Sequence, residues 1–299
     1  MRKNKISAVM RNNLYKKNIT PQTRKQYQRI ADKFAAYVKE TTGTERIQEK
    51  DYAEAAQGYF NFLQEKGLSP DTVHTHASGI IQALNFTLGD FTIKRRTRPE
   101  KGRNKPVRPL VGKRLEIGRK IGIRKAEIAR LKGGDLKEHD GELFVIVRKG
   151  KGGKRQEQLI LPQHREAIKG LFRDVSPEAY VFTREELKPL NKANTHASRR
   201  EIAKEAYSFY RALTPEERAP YIEVAHQRFL ENKMKGEKVW KQEQRLIKEK
   251  PLRWCRGKNK ALLLSQGRKP YFDRECALLV SVLHLAHYRT DVTVDNYLC

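Results

Sequence analysis

Apolar residues recur three and four apart through most of the chain, the spacing that puts them on one side of an α-helix. Thr20-Pro21 opens the first such stretch, threonine serving as N-cap and proline sitting where its missing N–H costs nothing. Tyr27, Ile30, Ala31, Phe34, Ala35 and Val38 then form one buried face, and Lys25, Arg29 and Lys33 line the opposite one. A second helix is predicted from Tyr52 to Lys66 on Tyr59, Phe60 and Leu63, and a third after Ser69-Pro70-Asp71-Thr72 on Val73, Ile80, Ile81 and Leu84. From Lys94 to Arg108 the periodicity vanishes: eight basic residues, one acid, two prolines and a glycine read as a linker. A helical pattern resumes at Leu110 and runs to Leu131, broken by Gly133-Gly134-Asp135. Two strands, Leu143 to Val147 and Gln158 to Leu161, flank the glycine turn 150–153 as a hairpin. Residues 196–250 are polar and helix-forming, with Thr214-Pro215-Glu216-Glu217 as a capped start. The stretch Gly257 to Pro270 reads as a basic loop, and Arg274 to His284 as a last apolar helix on Leu278, Leu279, Val282 and Leu283.

Charge narrows the class of partner. Over 299 residues, 63 Lys+Arg stand against 35 Asp+Glu, a formal charge of +28. Such an excess repels itself in a compact state unless a polyanion is a regular partner. It runs through the body of the chain rather than forming one tail, as in a nucleic-acid-binding protein. Cys255, Cys276 and Cys299 show neither CxxC nor metal-ligand spacing, so neither a disulfide framework nor structural zinc is expected. The first residues carry no apolar run of signal-peptide length, and no stretch reaches membrane-spanning length. A reduced, cytoplasmic, nucleoid-associated protein with no membrane contact is the expectation.

Four short stretches carry candidate chemistry: 121–131 (IGIRKAEIARL), 148–155 (RKGKGGKR), 195–200 (THASRR) and 283–299 (LHLAHYRTDVTVDNYLC). Direct attack on a phosphodiester needs a nucleophile, positive charge on the non-bridging oxygens, a proton donor for the leaving oxygen, and close positioning. Arginine supplies a planar fork of fixed charge for two phosphate oxygens. Lysine or histidine can hand over a proton. A tyrosine nucleophile leaves a phosphotyrosyl ester that conserves the bond energy, so the strand can be rejoined without ATP. Each stretch alone has a plainer reading: a packed terminal tyrosine, a solvated glycine turn, a chance H-x-x-R. The turn at 150–154 lacks the spacing of a Walker A loop.

Together, and in this order, the four stretches resemble the tyrosine recombinase (phage integrase) family over most of the chain. Residues 121–128 look like its T-G-x-R-x-x-E-L box, which implies Arg124 as the first phosphate-clamping arginine and Glu127 as the supporting acid. GKGGK at 150–154 is similar to G-K-G-x-K and implies Lys151 as the donor to the leaving hydroxyl. His196-Ala197-Ser198-Arg199 matches H-x-x-R, implying His196 as acid/base and Arg199 as the second clamp. Leu285-Ala286-His287 stands in for L-G-H, with Tyr297 in the nucleophile position. The resemblance implies a mainly α fold with a small β-sheet. An N-terminal helical core-binding (SAM-like) domain, residues 1–93, would be joined by the 94–108 linker to an α+β catalytic domain, 109–299, the two closing as a C-shaped clamp. The implied partner is double-stranded DNA, held by a homo-oligomer, a tetramer, with room for an accessory DNA-bending protein. No metal and no cofactor are implied. Lys94, Arg95, Arg96, Arg98, Arg103, Lys105 and Arg108 would follow the phosphate backbone. The implied activity is site-specific cleavage and rejoining for integration, excision or resolution of a mobile element.

Three features depart from the family pattern. The 88 residues from Arg199 to His287 are far more than its usual short connection, so about 200–270 reads as a helical insertion. Alanine replaces glycine before His287, and the step to Tyr297 is one residue longer than is common in the family, which keeps His284 and Tyr288 as secondary candidates. Only two residues follow Tyr297 in this sequence, so subunit contacts would come from elsewhere. An inactive DNA-binding protein of this fold, a basic RNA-binding protein and a type IB topoisomerase are the alternatives. A covalent protein–DNA adduct separates the first two from an enzyme.

Overall fold

Capping sets the start of the first predicted helices. In the computed structural model Thr20 Oγ1 accepts from Thr23 N at 3.2 Å, and Ser69 Oγ accepts from Thr72 N at 3.3 Å. These caps open α2 (Pro21–Thr42) and α4 (Pro70–Leu84), with α3 (Tyr52–Glu65) between them. The structure describes residues 4–94, 112–150, 153–191, 193–231 and 236–299. It is mainly α-helical with two small sheets, and the chain divides into two units, Met1–Lys101 and Gly102–Cys299.

The first unit gains a helix that the apolar spacing from Thr20 onward does not include, α1 (Ile6–Lys16). Its Ile6, Met10 and Leu14 lie four apart and are fully buried against the core around Phe34, Tyr59, Phe60 and Ile80. Each such burial stabilises by about 1.5–3 kcal/mol. The Tyr59 hydroxyl bonds His76 Nδ1 at 2.9 Å. Lys25, Arg29 and Lys33 are exposed, and Arg29, Lys33 and His76 border a cleft of about 460 Å3 between α2 and α4. Lys94 is exposed, its N–H donating to Gln64 Oε1 at 3.1 Å. Arg95, Arg96, Arg98, Arg103, Lys105 and Arg108 lie outside the described residues.

In the second unit, the helix expected over 110–131 is two short ones, α5 (Lys113–Arg119) and α6 (Lys125–Ile128). The break is at Gly122, whose φ of +76° a helix cannot hold. A three-stranded antiparallel sheet follows in the order β1 (Leu136–His139), β2 (Glu142–Val147), β3 (Gln156–Leu159). Strand β1 lies outside the expected hairpin, since three of its four residues are exposed and give no apolar signal. Strand β3 starts two residues earlier than predicted, because Val147 pairs with Gln156 across the hairpin. Helices α7 (Arg165–Phe172), α8 (Arg184–Leu187) and α9 (Thr195–Ala212) come next.

The segment read as an insertion builds α10 (Pro215–Glu231), α11 (Gly236–Glu249), β4 (Leu252–Trp254), α12 (Gly257–Ser265) and β5 (Tyr271–Asp273). The expected cap holds: Thr214 N donates to Glu217 Oε2 at 2.7 Å and Glu217 N to Thr214 Oγ1 at 3.3 Å. The expected loop at 257–270 is instead helix α12 followed by the strand-paired turn into β5. Its apolar run Leu262-Leu263-Leu264 has no amphipathic spacing, but Leu263 is fully buried. Phe229, Trp240, Cys255, Leu263 and Phe272 share one core with Tyr297, Leu298 and Cys299. The segment is therefore the wall on which the chain's last residues pack.

Helix α13 (Arg274–Leu279) continues through a π-turn, Val280–His284, and after a tight loop come α14 (Thr290–Thr293) and a final π-turn, Val294–Leu298. His284 is fully buried, its Nε2 2.9 Å from the Tyr210 hydroxyl, and its carbonyl accepts from Gln158 Nε2. Burial, with Arg228 nearby, lowers its pKa to about 3. A histidine so depressed stays neutral in the folded state while the unfolded chain takes up its proton below about pH 6.5. Stability is thus complete above about pH 6.5 and falls as the pH drops toward about 3, by up to ~1.4 kcal/mol per pH unit. His284→Gln should remove that one-proton slope. Denaturant midpoints of both proteins at pH 7 and pH 5 test it, and an equal acid loss in the variant would rule His284 out as the cause.

Candidate active site

Arg124, Glu127, Arg199, His287 and Tyr297 come together from three separated segments. Arg124 caps the start of α6, and Glu127, one turn on, turns back to it. The Glu127 carboxylate accepts from Arg124 N at 2.7 Å and from Arg124 Nη1 at 2.7 Å. It is 4 % exposed, so its charge is held where compensation is obligatory. The same carboxylate lies 4.0 Å from Arg199 Nη1. One buried acid thus braces two guanidinium groups, which otherwise repel each other.

Arg199 reaches the site from α9, whose N-cap Asn194 accepts from Ala197 N at 3.1 Å. Its Nη1 donates to the Gly122 carbonyl at 2.9 Å and its Nη2 to the Leu285 carbonyl at 3.0 Å. Only 1 % of it is exposed, and its Nε is buried without a hydrogen-bond acceptor. Burial, then the charge of Arg124, push this guanidinium down from its usual pKa, while Tyr297 and Glu127 pull it up. A surface clamp would present its fork to solvent. Here the fork is spent on two carbonyls and roofed by the Tyr297 ring, whose centre is 5.9 Å from Cζ. Arg124 is the more open of the two, its side chain 22 % exposed.

His287 stands between Arg124 and the tyrosine. Its Nε2 is 3.4 Å from Arg124 Nη2 and 3.5 Å from the Tyr297 hydroxyl. The loop carrying it is pinned at both ends by Ser281. His287 N donates to the Ser281 carbonyl at 2.9 Å, and Arg289 N to Ser281 Oγ at 2.9 Å. The neighbours of His287 adopt left-handed backbone, Ala286 at φ +48° and Tyr288 at φ +53°. A side chain there costs about 1–2 kcal/mol. The position before the histidine is therefore one that glycine fits best, and this chain carries the strain of alanine. Ala286→Gly should stabilise the protein by about 0.5–1 kcal/mol after the added flexibility of the unfolded chain is set against the strain. A higher denaturant midpoint at unchanged slope is the expected reading, and a lower midpoint would refute it.

The other predicted site residues fall as follows. His196 is exposed on the first turn of α9, one turn before Arg199. Lys151 lies outside the described residues. His284 pairs with Tyr210 in the core, and the Tyr288 ring packs edge-on against Phe229 at 5.2 Å. Gly122, Ser281 and the Leu285 carbonyl were not foreseen. Gly122 sits in the quoted box, but its service as an acceptor for Arg199 needs the third dimension. The last residue is anchored too: Cys299 Sγ is 3.4 Å from Cys255 Sγ. Among the described residues no group of acidic, histidine or cysteine side chains could hold a metal, and no helix is long and apolar enough to cross a membrane.

No family model matches the sequence, and no curated protein matches it. Among solved structures, one described as XerA recombinase is similar at 16% identity and a TM-score of 0.22, over 68% of this chain and 84% of that one. Another, described as XerH site-specific recombinase bound to palindromic difH substrate in a post-cleavage complex, is similar at 15% identity and a TM-score of 0.40. That likeness covers 96% of this chain and 80% of that one.

Proposed function

We propose that the chain is a tyrosine-type site-specific DNA recombinase, cleaving and rejoining strands through a 3′-phosphotyrosyl intermediate for integration, excision or resolution of a mobile element. The observation that carries this reading is the convergence of Arg124, Arg199, His287 and the Tyr297 hydroxyl around one buried carboxylate. A packed terminal tyrosine has no need of two guanidinium groups sharing an acid beneath it.

In this reading Tyr297 Oη passes its proton to His287 Nε2, 3.5 Å away, and attacks phosphorus, forming the ester as the bond to the 5′-oxygen breaks. Lys151 gives that oxygen its proton. Arg124 and His287 face the non-bridging oxygens, whose charge grows in the transition state. Arg199 joins them when the Tyr297 ring moves aside and leaves its Nε a phosphate oxygen to meet. Reversal by a free 5′-hydroxyl rejoins the strand. The first unit, with Arg29 and Lys33 along its cleft, would grip the duplex as the core-binding domain. The linker would follow the backbone, and a tetramer on DNA would pair two sites.

The test is incubation with duplexes from the ends of the chain's own element, followed by denaturing electrophoresis. A covalent adduct, undiminished by EDTA because arginine and histidine supply the charge that metals supply elsewhere, is the expected result. No adduct on any such duplex, or one that needs magnesium, would overturn the reading.

A further inference from the structure

From Arg253 to Phe272 the chain carries Arg253, Arg256, Lys258, Lys260, Arg268 and Lys269 and not a single acidic residue. The structure folds this stretch into β4, α12 and β5, a two-stranded ribbon with a helix between its strands. Arg256, the N-cap residue of α12, and Lys260, four residues on, are both exposed. On the ribbon, Trp254 pairs with Tyr271 in register, the two rings 4.9 Å apart at the centre, and Trp254 is 57 % exposed. Lys269 Nζ lies 5.9 Å from the Tyr271 ring centre. A solvated basic face does not need an uncovered tryptophan, which would be costly to leave in water.

The same module holds the segment that bears Tyr297. Asn259 Nδ2 donates to the Asp295 carbonyl at 3.2 Å, and Arg268 Nη2 to the Leu298 carbonyl at 3.1 Å. Arg253 Nη2 lies 3.9 Å from Asp295 Oδ2, and Cys255 meets Cys299. The module therefore packs directly on the segment that bears Tyr297.

We infer that β4, α12 and β5 form a second contact surface for the sugar–phosphate backbone of duplex DNA, next to the scissile position. This rests on the reading of the chain as a DNA-acting enzyme and gives the 200–270 segment a role in it. Arg256, Lys260 and Lys269 meet phosphates, and Trp254 lies against a deoxyribose, contacts that position a duplex without reading its sequence. The uniform positive sign favours a polyanion over a protein surface of mixed charge.

The test uses the full chain with R256A/K260A/K269A, and W254A separately, against a charge-matched control on exposed positions of α11, K241A/R245A/K248A. Binding to a random-sequence duplex is titrated over salt, with thermal melts to show that all variants are folded. The module triple should lose about 0.9 units of log–log salt slope for each contact removed, roughly two to three units in all. The control should keep the parent slope. W254A should weaken binding severalfold with little change in slope. An unchanged slope in the module triple overturns the inference, as does an equal loss in the control, which would report bulk charge. An acidic protein as the true partner would appear as that unchanged slope. The titration needs no cleavage, so failure of the recombinase reading, seen as no adduct from the parent, is distinct from failure here.

Discussion

Tyr297→Phe should abolish the covalent adduct while leaving duplex binding within about twofold of the parent. The variant loses one oxygen. That oxygen is the proposed nucleophile, and removing a covalent nucleophile costs on the order of 10⁶-fold in rate. The ring itself, 8 % exposed in the core with Leu298 and Cys299, stays and keeps its packing. The contact of that hydroxyl to His287, at 3.5 Å, is long, so its loss should cost no more than about 0.5 kcal/mol of stability. Adduct yield by denaturing electrophoresis, binding by anisotropy and a thermal melt separate chemistry from affinity and folding. A Tyr297→Phe protein that still forms the adduct sinks the assignment. Tyr288→Phe is the matching control: its ring packs on Phe229, and the adduct should persist.

The sequence carried the parts of this site that are local and hid those that are not. Thr20-Pro21 and Ser69-Pro70 state helix starts in two residues, and the structure builds both caps. Arg124 and Glu127 sit one turn apart within one short box, and the resemblance of that box implied Glu127 as the supporting acid. The meeting of Arg199 with the Gly122 and Leu285 carbonyls joins residues 77 and 86 positions apart, and periodicity says nothing about such contacts. For the same reason nothing in the sequence shows that the Arg199 fork bonds two carbonyls inside the protein. Helix α1 is legible in Ile6, Met10 and Leu14, but the basic and polar residues around them mask the stripe. Strands β4 and β5 have three residues each, too short for alternation to register, and exist because they pair with each other. Helix α12 hides its face because Leu262, Leu263 and Leu264 run consecutively while only Leu263 is fully buried.

Glu127→Gln should be the most damaging change that touches neither phosphate nor nucleophile. Its carboxylate bonds the Arg124 backbone and guanidinium and lies 4.0 Å from Arg199, all at 4 % exposure. Glutamine keeps the volume and can still accept one bond, but it removes the negative charge that offsets two guanidinium groups. Breaking a buried ion pair from one side costs about 3–5 kcal/mol. Arg124 is 22 % exposed and can recover part of its hydration, which puts the expected loss near the lower end, about 3 kcal/mol. Chemistry should suffer separately. With its brace gone, Arg124 swings toward water, and a misplaced donor to the developing charge costs on the order of 10²–10³ in rate. Glu127→Asp keeps the charge on a shorter arm and should recover part of the stability and less of the rate. The readings are denaturant midpoints and single-turnover adduct formation, taken at a temperature where all three proteins are fully folded. A Glu127→Gln protein as stable and as fast as the parent would mean that the two arginines need no acid between them, and the site would have to be rebuilt around some other support.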